Sequence, residues 1–277
     1  MASDSVNATP PAADEPLMIS APAPDRPAEP HGVRFRVAYA LLAIVLGAAV
    51  GAFIVLLGRN GSNTSQTWSQ WQPDGSSELK TSQIASTVGA QYRLPSGQQL
   101  VAVIPRIPPA VEPSTQETPI SHIALAQSSA PEDIKVFSTQ NSVEYVLCGV
   151  GSRSGRCAIG EGKPTTERAR LLHRESLELA LYTFKYVDGI DSVVALQPPR
   201  PGADPSFALF FQKDDFKDEL DRPLKTTLEG SSPFTTADFP VAQQARVSSI
   251  VDPFLFRFSY QQAPDLSAVL VLQPTAA

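Results

Sequence analysis

The strongest pattern in the chain is one apolar run near its N-terminus, from Val37 to Leu57. Its 21 residues carry no charge, and twelve of them are Leu, Ile, Val or Phe. As an α-helix the run is about 31 Å long, which matches the roughly 30 Å hydrocarbon core of a bilayer. Insertion of those twelve side chains favours the membrane by about 4–7 kcal/mol. The pattern predicts a transmembrane helix over residues 34–57.

The charges beside this run predict its orientation. Arg26, Arg34 and Arg36 precede the run, whereas Arg59 is the basic residue that follows it closely. Basic residues are enriched on the cytoplasmic side of a transmembrane helix, so the N-terminus is predicted to be cytoplasmic and the C-terminal part extracytoplasmic. The run is long for a secretory signal, and no small-residue cleavage site follows Leu57 promptly. We therefore expect an uncleaved, single-pass anchor in the cell membrane.

The segments around the anchor differ in composition. Residues 1–33 are rich in Pro and Ala and poor in large apolar residues, which predicts a disordered cytoplasmic tail, with a docking peptide as the alternative. Residues 58–67 are polar and rich in Gly, Ser and Asn, which is typical of a flexible stalk. Residues 68–277 then form the predicted extracytoplasmic domain.

Short apolar runs and two helical patterns alternate along this domain. One helix is predicted over 77–93 and a longer one over 164–186, with Thr165 as its N-cap and Gly189 at its stop. Shorter helices are predicted at 214–220 and 238–250. Strands are predicted at 99–104, 120–126, 133–138, 142–148, 190–197, 206–212, 254–261 and 267–273, the last two as a hairpin. We expect an α+β fold with the long central helix on a mostly antiparallel sheet.

The helical wheel of the long helix predicts which side chains are buried. Leu172 and Leu179 share one face with Phe184, and His173 lies towards it, whereas Arg174 and Glu178 cluster on the opposite face. Leu179 is therefore predicted to be in the core and Arg174 outside it.

The charge balance limits the partners. A net charge of −6 and a pI near 5.1 argue against a nucleic-acid partner, because phosphates require a cationic surface. Three histidines in the whole chain are too few for a histidine-based metal site, and no metal or cofactor is predicted.

Cys148 and Cys157 are the two cysteines of the chain. Outside the cytoplasm, a pair nine residues apart is typically a disulfide, whereas a redox pair would require a CxxC motif. Closing a loop of about ten residues contributes roughly 2.5–3 kcal/mol. We predict a structural disulfide between Cys148 and Cys157.

The loop between the cysteines and the segment after it suggest an anion contact. Arg153 and Arg156 accompany several glycines, and Lys163 lies just before the long helix, whose N-terminus attracts anions. A P-loop is not present, because Pro164 stands where that motif requires Ser or Thr. Arg153, Arg156 and Lys163 are therefore candidate anion contacts.

Two patterns leave an enzymatic alternative open. Ser77 and Lys80 match the SxxK motif of penicillin-binding proteins, but the companion SxN and KTG motifs are absent, and Ser77 is typical of a helix start. His173 on the long helix is expected to be half-buried. No catalytic residue is predicted.

Small residues recur every four positions in the apolar run, at Ala43, Gly47 and Gly51. Such spacing forms a smooth groove through which helices pack closely in lipid. A homodimer or a partner membrane helix is the resulting hypothesis.

Two stretches, 147–186 and 83–103, resemble a family of single-pass membrane proteins from actinomycete-type bacteria for which no activity is known. The resemblance implies placement and leaves function open. We expect a non-enzymatic envelope protein acting in assembly, scaffolding or partner binding. The alternative is an anchored hydrolase or transferase acting on envelope material.

Overall fold

A computed structural model describes residues 67–111, 118–127, 133–150, 157–230 and 232–275. They fall within one unit of the chain, Ser65–Ala277. The predicted tail and transmembrane helix, with Ala43, Gly47 and Gly51, lie outside these ranges. Within the ranges, no helix has both the length and the apolar character that crossing a bilayer requires.

Short apolar runs form a mixed sheet. The strands are β1 (Ala102–Arg106), β2 (Ala110–Val111), β3 (Thr118–Ala126), β4 (Ile134–Ser138), β5 (Ser142–Cys148), β6 (Ser192–Leu196), β7 (Phe207–Gln212), β8 (Leu255–Gln262) and β9 (Ala268–Pro274). Their order is β1-β5-β6-β7-β8-β9-β3-β2, and β4 also pairs with β3. Six of the eight pairings between described strands are antiparallel, while β5–β6 and β3–β9 are parallel.

The two ends of this strand order approach each other. Arg106 of β1 donates a hydrogen bond from Nη1 to the carbonyl oxygen of Ala110 in β2, at 2.9 Å. The backbone N–H of Ala110 in turn donates to Glu144 Oε2 of β5, at 3.4 Å. Because β2 stands at one end of the order, and β1 with its neighbour β5 at the other, these contacts make the sheet nearly closed.

A 21-residue helix, α2, lies on one face of the sheet. The described helices are α1 (Ser77–Gly89), α2 (Thr166–Tyr186), α3 (Lys217–Asp221), α4 (Leu224–Thr227) and α5 (Val241–Val251), with 3₁₀ turns at Lys213–Phe216 and Asp252–Phe254. The hydroxyl of Thr165 accepts a hydrogen bond from the Arg168 N–H, at 3.2 Å, which confirms the predicted N-cap. α1 and α5 both pack against α2, so the helix is enclosed between them and the sheet.

This enclosure corrects the prediction that Arg174 and Glu178 lie outside the core. Leu179 is fully buried as predicted, but Arg174 is 2% exposed and Glu178 is 4% exposed. The wheel assumed a helix covered on one side, whereas the opposite side of α2 is covered by α1, α5 and the segment before α5.

The first helix is shorter than predicted. It ends at Gly89 rather than at Arg93, because Tyr92 leaves the helix and accepts a hydrogen bond at its carbonyl oxygen from the Leu100 N–H, at 2.9 Å. Leu79, which the pattern placed on the apolar stripe, is 50% exposed.

The two faces of the sheet bury separate apolar clusters. The face towards α2 contributes Val143, Val193 and Phe211 to a core shared with the helices. On the other face, side chains such as Ile123, Phe210 and those of β9 pack within the curled sheet itself. The nearly closed sheet therefore has its own interior, apart from the helical layer.

Candidate functional site

A cavity of about 640 Å³ lies at the start of α2, between this helix and the connection from β6 to β7; we call it the helix-start cavity. Apolar groups form most of its wall surface, and polar side chains lie among them. The apolar part consists chiefly of Ile159, Pro164, Leu172, Pro198, Pro199, Phe207 and Leu255, and the polar part of Thr165, Thr166, Arg168, His173, Gln197, Arg200, Asp204 and Ser206.

The disulfide positions one wall of this cavity. Cys148 and Cys157 are paired, with their Cα atoms 4.1 Å apart, which confirms the predicted bond. The backbone N–H of Gly149 donates to the Cys157 carbonyl at 3.1 Å. A Cβ at Gly149 would lie 1.9 Å from the Ala158 carbonyl oxygen, so glycine alone permits this approach. Two residues further on, the Ile159 N–H donates to the Pro199 carbonyl at 3.0 Å, which joins the two walls.

Arg168 is a buried cation in the wall of the cavity. It is 3% exposed, and its guanidinium donates to the carbonyl oxygens of Glu161 and, at 3.2 Å, of Leu100. Its Nε has no hydrogen-bond partner, and among the described residues no carboxylate pairs with it. Burial lowers the pKa of Arg168, although a guanidinium stays charged in proteins.

The position of Arg168 within α2 opposes the helix dipole. It lies in the first turn, where the macrodipole favours anions and disfavours cations. A buried charge without an opposite charge beside it is also unfavourable, because it has lost its hydration. Two backbone carbonyls solvate the Arg168 guanidinium, but no described carboxylate neutralises its charge.

Arg200 adds a second positive charge at the rim. Its side chain is exposed and makes no hydrogen bond or ion pair with a described residue, in contrast to Arg246, which pairs with Glu229 at 2.8 Å. Asp204 is the carboxylate in the lining and has a further contact of its own. The lining thus carries two arginines against one aspartate.

His173 is half-buried, as predicted, and lines the same cavity. Its Nδ1 is buried and has no hydrogen-bond partner. Burial lowers the pKa of His173, while the nearby Asp252 opposes that shift. No described hydroxyl or acidic group forms a hydrogen bond with it, so a nucleophile–base pair is not assembled here.

The SxxK residues do not form a catalytic pair either. Ser76 is the N-cap of α1, and Ser77 is its first residue. Lys80 Nζ lies 3.5 Å from Asp188 Oδ2. The amine that would have to activate Ser77 is therefore paired with a carboxylate.

A second cavity, of about 630 Å³, is lined by β-strand residues including Arg106, Val146 and Tyr260. It shares Gln197, Pro199 and Asp204 with the helix-start cavity. Its cation differs from Arg168, because Arg106 lies 3.4 Å from Glu144 Oε2 and is thereby compensated.

A buried polar network lies further along α2. Arg174 donates from Nη1 to the Tyr92 hydroxyl and to Glu178 Oε2, the latter at 3.3 Å, and from Nη2 to the Glu229 carbonyl at 3.1 Å. The Tyr92 hydroxyl donates to Glu178 Oε2 at 2.5 Å. The guanidinium also stacks on Phe234, at 3.7 Å from the ring centroid. The network ties the end of α1 and the segment before α5 to the long helix.

The predicted anion contacts have different outcomes. Arg153 and Arg156 lie outside the described residues. Lys163 is exposed and does not line the helix-start cavity. The sequence patterns did not predict that Arg168 and Arg200 line a cavity. For Arg168 a signal was present, because a cation in the first turn of a helix is unfavourable for the helix dipole.

The described residues contain no group of three or more His, Cys, Asp or Glu side chains suited to hold a metal ion. No family model, curated protein or solved structure matches the chain.

Proposed function

We propose that this chain is a membrane-anchored envelope protein whose extracytoplasmic domain acts by binding and not by catalysis. The observation that carries the proposal is the helix-start cavity. Its volume of about 640 Å³ falls within the roughly 300–1,000 Å³ range of small-molecule sites, and its mainly apolar wall surface is typical of them.

The anchored placement is supported by the apolar run from Val37 to Leu57 and by the arginines before it. The outer domain would then present its cavity to envelope molecules. A partner membrane helix or a second copy could contact the anchor.

The absence of an assembled catalytic pair among the described candidates supports binding over the hydrolase or transferase alternative. Lys80 pairs with Asp188 instead of a serine, and His173 has no hydrogen-bonding partner. Catalysis by acyl or glycosyl transfer requires such a pair within hydrogen-bond reach.

Complementation of a deletion strain distinguishes a binding protein from a hydrolase or transferase. Ala169 is exposed and lines the cavity, so Ala169→Trp should fill it without disturbing the core. We expect the Ala169→Trp chain to fail to correct the envelope defect of the deletion strain. The Ser77→Ala and Lys80→Gln chains should correct it fully. Full complementation by Ala169→Trp would contradict binding in the cavity, and loss of complementation by Ser77→Ala would indicate catalysis.

A further inference from the structure

We infer that the helix-start cavity binds a single-chain amphiphile, with its anionic headgroup at Arg168 and Arg200 and its alkyl chain along the apolar walls. The inference rests on the proposed binding function and names the ligand class of the same site.

The buried cation is the first argument. Arg168 is almost fully buried and charged, and no described acidic group compensates it. Two backbone carbonyls accept hydrogen bonds from its guanidinium, whereas its Nε has no partner. Buried charges in proteins are normally paired with an opposite charge, because hydrogen bonds to neutral groups replace only part of the lost hydration. The comparable arginine of the second cavity, Arg106, has such a partner in Glu144. The missing counter-charge of Arg168 is therefore expected to come from a ligand.

The surroundings of Arg168 favour the same sign of charge. Thr165 and Thr166 bring the positive end of the 21-residue helix α2 to the cavity wall. Arg200 lies on the opposite wall, within the β6–β7 connection, and its charge is unpaired among the described residues. The lining carries two arginines against one aspartate, so its charge favours an anionic headgroup.

The rest of the cavity suits an alkyl chain. Leu172, Phe207 and Leu255 present apolar surface, together with the consecutive prolines of the β6–β7 connection. Phe207 is 37% exposed although it is a large apolar residue, so a chain lying on it would remove apolar surface from water. An apolar body and one anionic end together define an amphiphile.

The binding test uses the full-length chain in nanodiscs of zwitterionic lipid, titrated with octanoate, decanoate and the uncharged decanol. Hydrogen-exchange mass spectrometry then localises binding, and empty nanodiscs correct for partition into lipid. We expect decanoate to protect residues 159–173 and 197–207. Each buried methylene strengthens binding about fourfold, so decanoate should bind about 15-fold more tightly than octanoate. Decanol should bind at least tenfold more weakly than decanoate.

Three variants make the assignment specific. Arg200→Gln removes an exposed charge, so the fold should persist while decanoate affinity falls about tenfold. Ala169→Trp should abolish the protection by filling the space. Arg93→Gln removes a half-buried arginine that does not line the cavity, so it should leave decanoate affinity unchanged.

Different outcomes contradict different claims. Equal affinity for decanoate and decanol, or no effect of Arg200→Gln, would overturn the anionic ligand class and leave a binding cavity of another chemistry. The lack of protection by either compound would overturn the amphiphile altogether. The proposed binding function fails separately, if Ala169→Trp complements the deletion strain.

Discussion

Glu175 lies in the middle of α2 with both carboxylate oxygens buried and without a hydrogen-bond partner among the described residues. Burial raises the pKa of Glu175 well above its ordinary value of 4.5, and the neighbouring Glu178 raises it further. The folded chain therefore holds this carboxyl protonated, whereas the unfolded chain ionises it. Ionisation of Glu175 in the unfolded chain therefore does not lower the free energy of unfolding below pH 4.5. The free energy of unfolding then falls as the pH rises from 4.5 towards the folded-state pKa of Glu175.

We predict that Glu175→Gln removes this pH dependence, because an amide does not ionise. The free energy of unfolding of the variant, relative to the parent, should rise with pH by up to about 1.4 kcal/mol per pH unit above pH 4.5. Urea denaturation at pH 5, 6, 7 and 8 measures it. Glu229→Gln, at an exposed ion pair, serves as the control. Parallel pH profiles of Glu175→Gln and the parent would show that Glu175 is ionised in the fold.

Arg174 gives a second prediction at this scale, opposite to the one from the helical wheel. Because Arg174→Ala leaves Glu178 buried without its cationic partner, we expect a loss of about 3–5 kcal/mol in the free energy of unfolding. Leu179→Asp, on the sheet-facing side, should be at least as destabilising. Arg93→Ala should change stability by about 0.5 kcal/mol or less. A silent Arg174→Ala in the same denaturation assay would contradict the buried network.

At the scale of elements, the sequence located most helices and strands but not the environment of α2. Thr165 and Gly189 marked the ends of α2 through local capping chemistry, which depends on neighbours in sequence. The burial of Arg174 and Glu178 depends on α1 and α5, which are distant in sequence. The same limit hid the helix-start cavity, since its walls come from the start of α2, the β6–β7 connection and Leu255.

The disulfide joins the end of β5 to the segment that leads into α2. We predict that Cys148→Ser lowers the free energy of unfolding by about 2.5–3 kcal/mol, because the unfolded chain regains the freedom of the loop. Membrane insertion should be unaffected. Mass mapping without reductant should recover one linked peptide from the parent chain, and two freely alkylated thiols would refute the pairing in the cell.

The predicted transmembrane helix carries its own prediction, which rests on sequence alone. If Gly47 and Gly51 form the packing groove, Gly47→Ile and Gly51→Ile should weaken association in a membrane reporter assay, because a bulky side chain prevents close approach. Val45→Ile, off that face, should not. Equal signals from the three variants would mean that the groove is not the interface.

At the scale of the whole molecule, the α+β class was predictable and the nearly closed sheet was not. The alternation of apolar residues predicts a strand but does not predict which strands pair with it. The β8–β9 hairpin followed from its short turn, whereas the parallel pairs β5–β6 and β3–β9 join strands far apart in sequence. The fold class therefore came from local pattern, and the closure from pairings that no local pattern encodes.

The placement of the whole chain is tested by topology. The three arginines before the apolar run predict that residues 68–277 lie outside the membrane. Protease added to intact, wall-stripped cells should remove this domain and leave a fragment containing the anchor. Protection of residues 68–277 in intact cells, with cleavage after lysis, would reverse the orientation.

The pairing of β3 with β9 also delays completion of the sheet during synthesis. Ser121 of β3 bonds to the Ala268 carbonyl of β9, 147 residues later in the chain. At about 5–20 residues per second, a ribosome needs roughly 7–30 s to make that interval. Until β9 is made, the edge of β3 that pairs with β9 has no partner, and such unpaired edges can associate with other strands. The nascent domain is therefore expected to depend on a holding chaperone until its last strand emerges.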